Sequence, residues 1–257
     1  AFQEADAVIE ISSQYHNADH ACLSTRACLM HYKGGRLTCW TSHYQADQTR
    51  MHICQMLDLP LSSVRVINPY IGGSFGRGNT GEQPYFIYTA ILAMRTGRPV
   101  LFKHTRREDF HDTRNRVDYE CRVGARRVGN ITAIHFKSIG DSGAYADHTM
   151  AAVEFVPREF AEGTLAHIPN LKLEGKAVYT NRIPGSCMRG IGNNQINLVF
   201  GMTIDALAEK MALDPVEVAI QNFGNEWNPM PDKSLEAVLR ECARRIGWEK
   251  RLRPGQG

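Results

Sequence analysis

No hydrophobic run in this chain approaches the roughly 18 residues needed to span a bilayer, and no signal peptide is visible. No charge of one sign dominates. Thirty Lys and Arg stand against 27 Asp and Glu, a net charge of +3, too mild to draw nucleic acid. The pairs Arg106-Arg107 and Arg126-Arg127 read as solvated surface. C-x-x-C spacing is absent, and the seven cysteines (Cys22, Cys28, Cys39, Cys54, Cys121, Cys187, Cys242) are an odd number. An iron–sulfur or zinc site within the chain is therefore disfavoured, and reduced thiols in a reducing, cytoplasmic compartment are the simplest expectation. There is no G-x-S-x-G, no H-E-x-x-H, no internal repeat and no low-complexity tract. No methionine opens the chain at Ala1, as in a processed chain or a piece of a longer one.

Glycine, by contrast, is concentrated in two places. The strand-like Val64-Arg65-Val66-Ile67-Asn68 runs into Ile71-Gly72-Gly73-Ser74-Phe75-Gly76-Arg77-Gly78, and a helix is expected from about Glu82. About a hundred residues later, Asn181 to Gly192 forms a second glycine loop, with Arg189 inside it, that also leads into a helix. Glycine permits close approach of backbone to a ligand, and a helix N-terminus offers free N–H groups. Each loop alone is equally a tight turn. Together, with a guanidinium that forks onto an oxyanion, they suggest main chain gripping a large anionic cofactor.

Around these loops the composition, 43% hydrophobic and 22% charged, suits one packed domain over 1–250 with a tail at 251–257. Strands are expected at 7–11, 27–32, 36–41, 64–68, 100–103, 117–123, 131–139 and 171–180. Lys33-Gly34-Gly35 marks a hairpin. A helix over 45–57 carries an apolar stripe of Met51, Cys54 and Leu57. A second, over 82–95 and capped by Gly97, buries Tyr85, Phe86 and Tyr88. Further helices fall at 195–211, after Asp214-Pro215, and from Ser234 to Gly247. Residues 143–165 fit neither pattern, and Asp141 to Tyr145 reads as a turn. Strands and helices mix without strict alternation, which indicates an α+β fold of mixed sheets with packed helices. His16 and His20 lack metal-ligand spacing and read as structural. Asp109, Asp112, Asp118 and Asp141 form no recognisable acid–base pair.

Four ordered segments resemble the molybdenum-binding region of the xanthine dehydrogenase/aldehyde oxidase family of molybdenum hydroxylases, over about 6–248. They are His20-Ala21-Cys22-Leu23-Ser24-Thr25; Met56 to Pro60 with Val64-Arg65-Val66 and Gly72-Gly73-Ser74-Phe75-Gly76; Asn181-Arg182-x-Pro184 with Arg189-Gly190-Ile191-Gly192-x-x-Gln195; and Asp205 to Ala208 with Leu213-Asp214-Pro215 and Asn222. The resemblance implies the molybdopterin-binding domain fold of that family. It also implies a pterin-bound molybdenum that hydroxylates an aromatic N-heterocycle or aldehyde at carbon with oxygen from water, and electrons leaving through [2Fe-2S] clusters to FAD. It places Gly73, Ser74, Phe75 and Gly76 on the pterin through main chain and Arg189 beside it at the site's rim. Cys187, Met188 and Ile191 would then surround the substrate. The pterin dithiolene, not a protein side chain, holds the metal. By the same resemblance the cofactor would, in bacteria, be the cytosine dinucleotide form.

The departures from the family carry information. Tyr44 in Ser42-His43-Tyr44 stands where the family often has a glutamine near the metal, and its phenol still donates one hydrogen bond. Asn79 replaces the substrate-binding glutamate of purine oxidisers. Ser24 replaces a glutamate of the opening signature. Gly190 follows the loop arginine where carbon monoxide dehydrogenases place a copper-binding cysteine. The family's base glutamate lies beyond the extent of this chain. The implied partners are a second molybdopterin-binding chain with that glutamate, an iron–sulfur subunit and a FAD subunit. Two other readings stay open: a reductase of aromatic thioesters with the same cofactor, and a non-catalytic scaffold that has lost it.

Overall fold

The structure, a computed structural model, describes residues 1–77, 84–110, 113–114, 116–145, 149–164, 168–222 and 234–250. In chain order it runs β1 (Ala7–Tyr15), β2 (Ala27–Lys33), β3 (Arg36–Thr41), α1 (Ala46–Leu57), β4 (Val64–Ile67), α2 (Pro84–Thr96), β5 (Val100–Lys103) and α3 (Arg106–Asp109). There follow β6 (Thr113–Arg114), β7 (Val117–Ala125), β8 (Ile131–Gly143), α4 (Val156–Thr164), β9 (Leu171–Tyr179), β10 (Gly185–Ser186), α5 (Asn193–Met211), α6 (Pro215–Asn222) and α7 (Ser234–Ile246). Asn79, Glu82, Asp112 and the 251–257 tail lie outside the described residues. Among the described residues no helix is long and apolar enough to cross a membrane.

Two four-stranded sheets, ordered β4-β3-β2-β5 and β1-β7-β8-β9, each carry helices on one face. Period-two patterning explains the larger sheet. Val117, Tyr119, Cys121, Val123 and Ala125 of β7 point inward, while Asp118, Glu120 and Arg122 point out. Helix α5 closes this core with Ile196, Val199, Phe200, Ile204 and Leu207 at helical spacing. Rings of Tyr119, Phe136, Phe200 and Phe160 follow one another at centroid distances of 5.4, 5.6 and 5.0 Å. The smaller sheet packs Met30, Leu37 and Cys39 against Ile53 of α1 and Phe86 and Ala90 of α2. Gly97 ends α2 as expected, with φ +63° and its N–H on the Ala93 carbonyl.

Several boundaries and burials differ from the sequence reading. β1 continues to Tyr15, because β7 pairs with it over its whole length. Asp141 to Gly143 is strand rather than turn, and Asp141 Oδ1 accepts from the Gly143 N–H at 2.9 Å. Residues 151–155 form a π-helical turn that runs straight into α4, so no single period covers the stretch read as neither pattern. Its Val153 carbonyl accepts from the Ser138 hydroxyl at 2.8 Å and presses on Gly175 of β9, where a Cβ would collide with it. Met51 is half exposed. The buried stripe of α1 is Thr49, Ile53 and Cys54, and Met51 sits two residues, about 200° of helix rotation, from both Thr49 and Ile53. Tyr88 is exposed: it sits about 200° of helix rotation from Phe86 and falls just outside the buried face of α2, although only about 60° from Tyr85.

Phe136 is completely buried between two ring partners. Phe136→Ala is expected to cost about 3–5 kcal/mol in denaturant unfolding, whereas Met51→Ala stays within about 0.5 kcal/mol.

Candidate functional site

Both glycine loops leave the carboxyl ends of sheet strands and converge. The first follows β4. Gly73, Phe75 and Gly76 have φ of +100°, +55° and +99°. Positive φ at three of the four positions bends the main chain sharply, a backbone form that anion-binding nests use. Among the described residues no acceptor takes the N–H of Gly73, Ser74, Phe75 or Gly76. The loop is braced by the Arg77 N–H on the Ser74 carbonyl at 3.0 Å and the Ser74 hydroxyl on the Arg77 carbonyl at 3.1 Å. Ser24 packs so tightly under Gly72 that a Cβ there would sit 2.6 Å from its hydroxyl.

The second loop reaches the first through main chain. The Arg189 N–H donates to the Phe75 carbonyl at 2.7 Å. A Cβ on Gly76 would lie 2.9 Å from the Cys187 carbonyl oxygen, so only glycine allows the two backbones this close. β10, just before Arg189, pairs in parallel with β6, and Arg114 of β6 donates through Nη2 to the Arg189 carbonyl at 2.6 Å. Buried His20 holds the Cys187 carbonyl with Nε2 at 2.6 Å. Gly190 and Gly192, both at positive φ, then deliver the chain into α5.

A buried charge cluster anchors the first loop from below. Asp109 is 1% exposed. Its Oδ1 accepts from the Arg26 N–H at 3.0 Å and from Arg26 Nη1 at 3.1 Å. Its Oδ2 accepts from Arg77 Nη1 at 2.8 Å, and that same nitrogen donates to the Ser24 carbonyl at 2.9 Å. Arg26 and Arg77 are themselves buried. Burial on its own would lift the Asp109 pKa, but the Arg26 N–H and the guanidiniums of Arg77 and Arg26 outweigh it and hold the carboxyl below its ordinary range. A capping box between Thr105 and Glu108 fixes α3 and with it the position of Asp109.

Tyr44, about a third exposed, lines a cavity of about 10 Å³ with Gly73 and Ser74, room for one water. Burial, with Cys187 nearby adding to it, pushes its phenol pKa up, so it remains a hydrogen-bond donor at neutral pH. Arg189 is exposed, and its guanidinium has no partner among the described residues. Cys187 is buried, Met188 is half-buried, and Ile191 and Phe75 are both exposed. Asn79 lies outside the described residues. Tyr44, Gly73, Ser74, Phe75, Gly76, Cys187 and Arg189 are thus gathered in one place. Sequence reasoning missed Asp109, Arg26, Arg77 and Arg114, and read His20 as merely structural. The only local signal was the T-x-x-E box at Thr105, which marks a fixed helix start just ahead of Asp109.

A family model described as Molybdopterin cofactor-binding domain matches residues 1–223. The chain belongs to this family. It is 30% identical over 226 residues to a probable xanthine dehydrogenase subunit of Bacillus subtilis, covering 86% of this chain and 30% of that protein. It is 29% identical to the nicotinate dehydrogenase large molybdopterin subunit of Eubacterium barkeri, covering 86% and 52%. The same fold recurs in quinoline 2-oxidoreductase from Pseudomonas putida 86, with TM-score 0.86, 21% identity, and 96% of this chain against 33% of that one. The chain therefore spans about a third to a half of the relatives it matches. The α+β class of mixed sheets with packed helices is that of these molybdopterin-binding domains. Its donor set fits a molybdopterin: among the described residues four main-chain N–H groups of the first loop and the guanidinium of the loop joined to it have no partner, as an anionic group needs.

Gly35→Ala, at φ +76° in the open hairpin, meets nothing within 4 Å, while Gly76→Ala meets Cys187. Each is expected to lose about 1–2 kcal/mol from backbone strain. Only Gly76→Ala speeds hydrogen exchange at the Arg189 amide, read by mass spectrometry or NMR. For Asp109, the lowered folded pKa makes its contribution full above about pH 4, the unfolded carboxyl's value, and lost as pH falls from there through the lower folded value. Asp109→Asn, which strands two buried guanidiniums, is expected to cost about 3–5 kcal/mol at pH 7. In urea unfolding this gap from wild type narrows below pH 4; an unchanged gap refutes the assignment.

Proposed function

We propose that residues 1–250 form the first half of the molybdenum-binding region of a multi-subunit molybdenum hydroxylase. The observation that carries this reading is the main-chain union of the two glycine loops, with the N–H groups of Gly73 to Gly76 and the Arg189 guanidinium left unbonded among the described residues. These groups would hold the pterin and its phosphate by charge-assisted hydrogen bonds. When bound, the molybdenum cofactor, in its cytosine dinucleotide form, supplies the two-electron oxidation that places a water-derived oxygen on an electrophilic carbon.

The chain's own residues bind, orient and exclude water. Tyr44 donates a phenolic hydrogen bond from the rim of the first loop. Asp109 locks Arg77 and so keeps the Gly73 to Gly76 donors aimed. Phe75 and Ile191, beside Cys187 and Met188, offer apolar surface to an aromatic N-heterocycle or an aldehyde. Asn79, four residues past Phe75 in the chain, is assigned to the same substrate by its place in the motif. The names of relatives support that substrate class: nicotinate dehydrogenase, quinoline 2-oxidoreductase and, 30% identical with 98% of this chain covered, the aldehyde oxidoreductase molybdenum-binding subunit PaoC of Escherichia coli O157:H7. Several relatives are named as subunits, which supports partner chains. In this reading they are a second molybdopterin-binding chain with the base glutamate, a [2Fe-2S] subunit and a FAD subunit. Seven free thiols, six of them buried, support a reducing, cytoplasmic setting.

The complex purified with its partner chains is expected to contain stoichiometric molybdenum and to turn over heterocycles or aldehydes. Arg189→Ala loses at least about tenfold in turnover and sheds cofactor, as expected for one charged hydrogen bond of about 1.5–3 kcal/mol. A metal-free complex with activity elsewhere would identify a scaffold. Turnover of an aromatic thioester alone would identify a reductase.

A further inference from the structure

A second basic site lies away from the glycine loops. Arg36, Thr38, Asp47, Arg50, Ser62 and Arg65 line a cavity of about 370 Å³ at the free edge of β4. None of its lining residues belongs to either loop. β3 and β4 run in parallel with Thr38 opposite Arg65, and Arg36 shares the face of Thr38 two residues earlier. Arg50 enters from α1. Its Nε and Nη2 donate to the Leu61 carbonyl at 3.2 and 2.5 Å, which fixes the guanidinium and leaves Nη1 unbonded among the described residues. The guanidiniums of Arg36 and Arg65 have no hydrogen bond or ion pair among the described residues.

Three guanidiniums against the single carboxylate of Asp47 leave two positive charges around one cavity. Like charges gathered this way repel, and a dianion relieves them. Guanidiniums recognise phosphate by parallel N–H contacts, with one already oriented by Leu61. The lining holds no aromatic side chain, so a nucleobase would find nothing to stack on. We propose that this cavity binds a small phosphorylated molecule, its phosphate seated on Arg36, Arg50 and Arg65 beside the Ser62 hydroxyl and its remaining polar body filling the rest.

Isothermal titration of the cofactor-loaded complex with inorganic phosphate and with ribose 5-phosphate, at constant ionic strength, tests this. Saturable uptake is expected, tighter for the sugar phosphate. The double variant Arg36→Gln/Arg65→Gln is expected to weaken it at least about tenfold while molybdenum content and turnover stay unchanged. Three results would overturn the proposal: no saturable uptake at millimolar phosphate, equal uptake by the double variant, or chloride heats equal to those of phosphate. Loss of partner chains from the double variant, with no phosphate uptake by the wild type, would overturn it in favour of a protein–protein contact.

Discussion

One main-chain hydrogen bond, from Arg189 N–H to the Phe75 carbonyl, joins two stretches of chain more than a hundred residues apart. Almost everything distinctive about the molecule serves that joint. It requires glycine at position 76, because any Cβ would strike the Cys187 backbone. It requires β10 beside β6, so that Arg114 can hold the Arg189 carbonyl. It leaves the donors of the first loop without an acceptor among the described residues, instead of consuming them in a turn. The two sheets are the means by which β4 and β9 deliver their loops to one point.

The Asp109 cluster gives the joint its rigidity at an energetic cost. Burying a carboxylate and two guanidiniums is unfavourable, and hydrophobic residues of similar volume would stabilise the fold as well or better. What the ionic cluster adds is direction. It fixes Arg26 at the start of β2, Arg77 at the end of the loop and the Ser24 carbonyl under it, in one bonded unit. A loop of glycines has little stiffness of its own. Here stiffness is supplied by side chains from flanking segments, while the glycines keep the main chain exposed.

The legible parts of the chain were those whose physics is local. The hairpin at Lys33 to Arg36, the period-two strands and the Gly97 cap each announce themselves within a few residues. The glycine loops and Arg189 were visible because their composition is unusual for a strand-to-helix turn. Asp109, Arg26 and Arg77 were not, since an ion cluster assembled across 83 residues of separation has no spacing to read. The π-helical turn at 151–155 escaped for a related reason: its period is neither of the two that sequence patterns register. Met51 and Tyr88 show the converse error, where apolar character alone stood in for a helix face. The role of His20 was hidden because its partner is a carbonyl of a distant loop, a contact that any buried donor could make.

Among the described residues strand β9 pairs only with β8, and no strand lies along its other edge. Lys172, Glu174 and Lys176 alternate along it. If a second copy added there in parallel register, each charge would meet itself. If it added antiparallel about Glu174, Lys172 would face Lys176 and Glu174 its twin. In both of these registers like meets like, and repulsion disfavours them. That protection is Coulombic and therefore fades as ions accumulate: about 10 Å of reach at 0.1 M salt shrinks to about 3 Å at 1 M. Concentrated salt, the usual remedy for clumping samples, would weaken the bar to these two pairings.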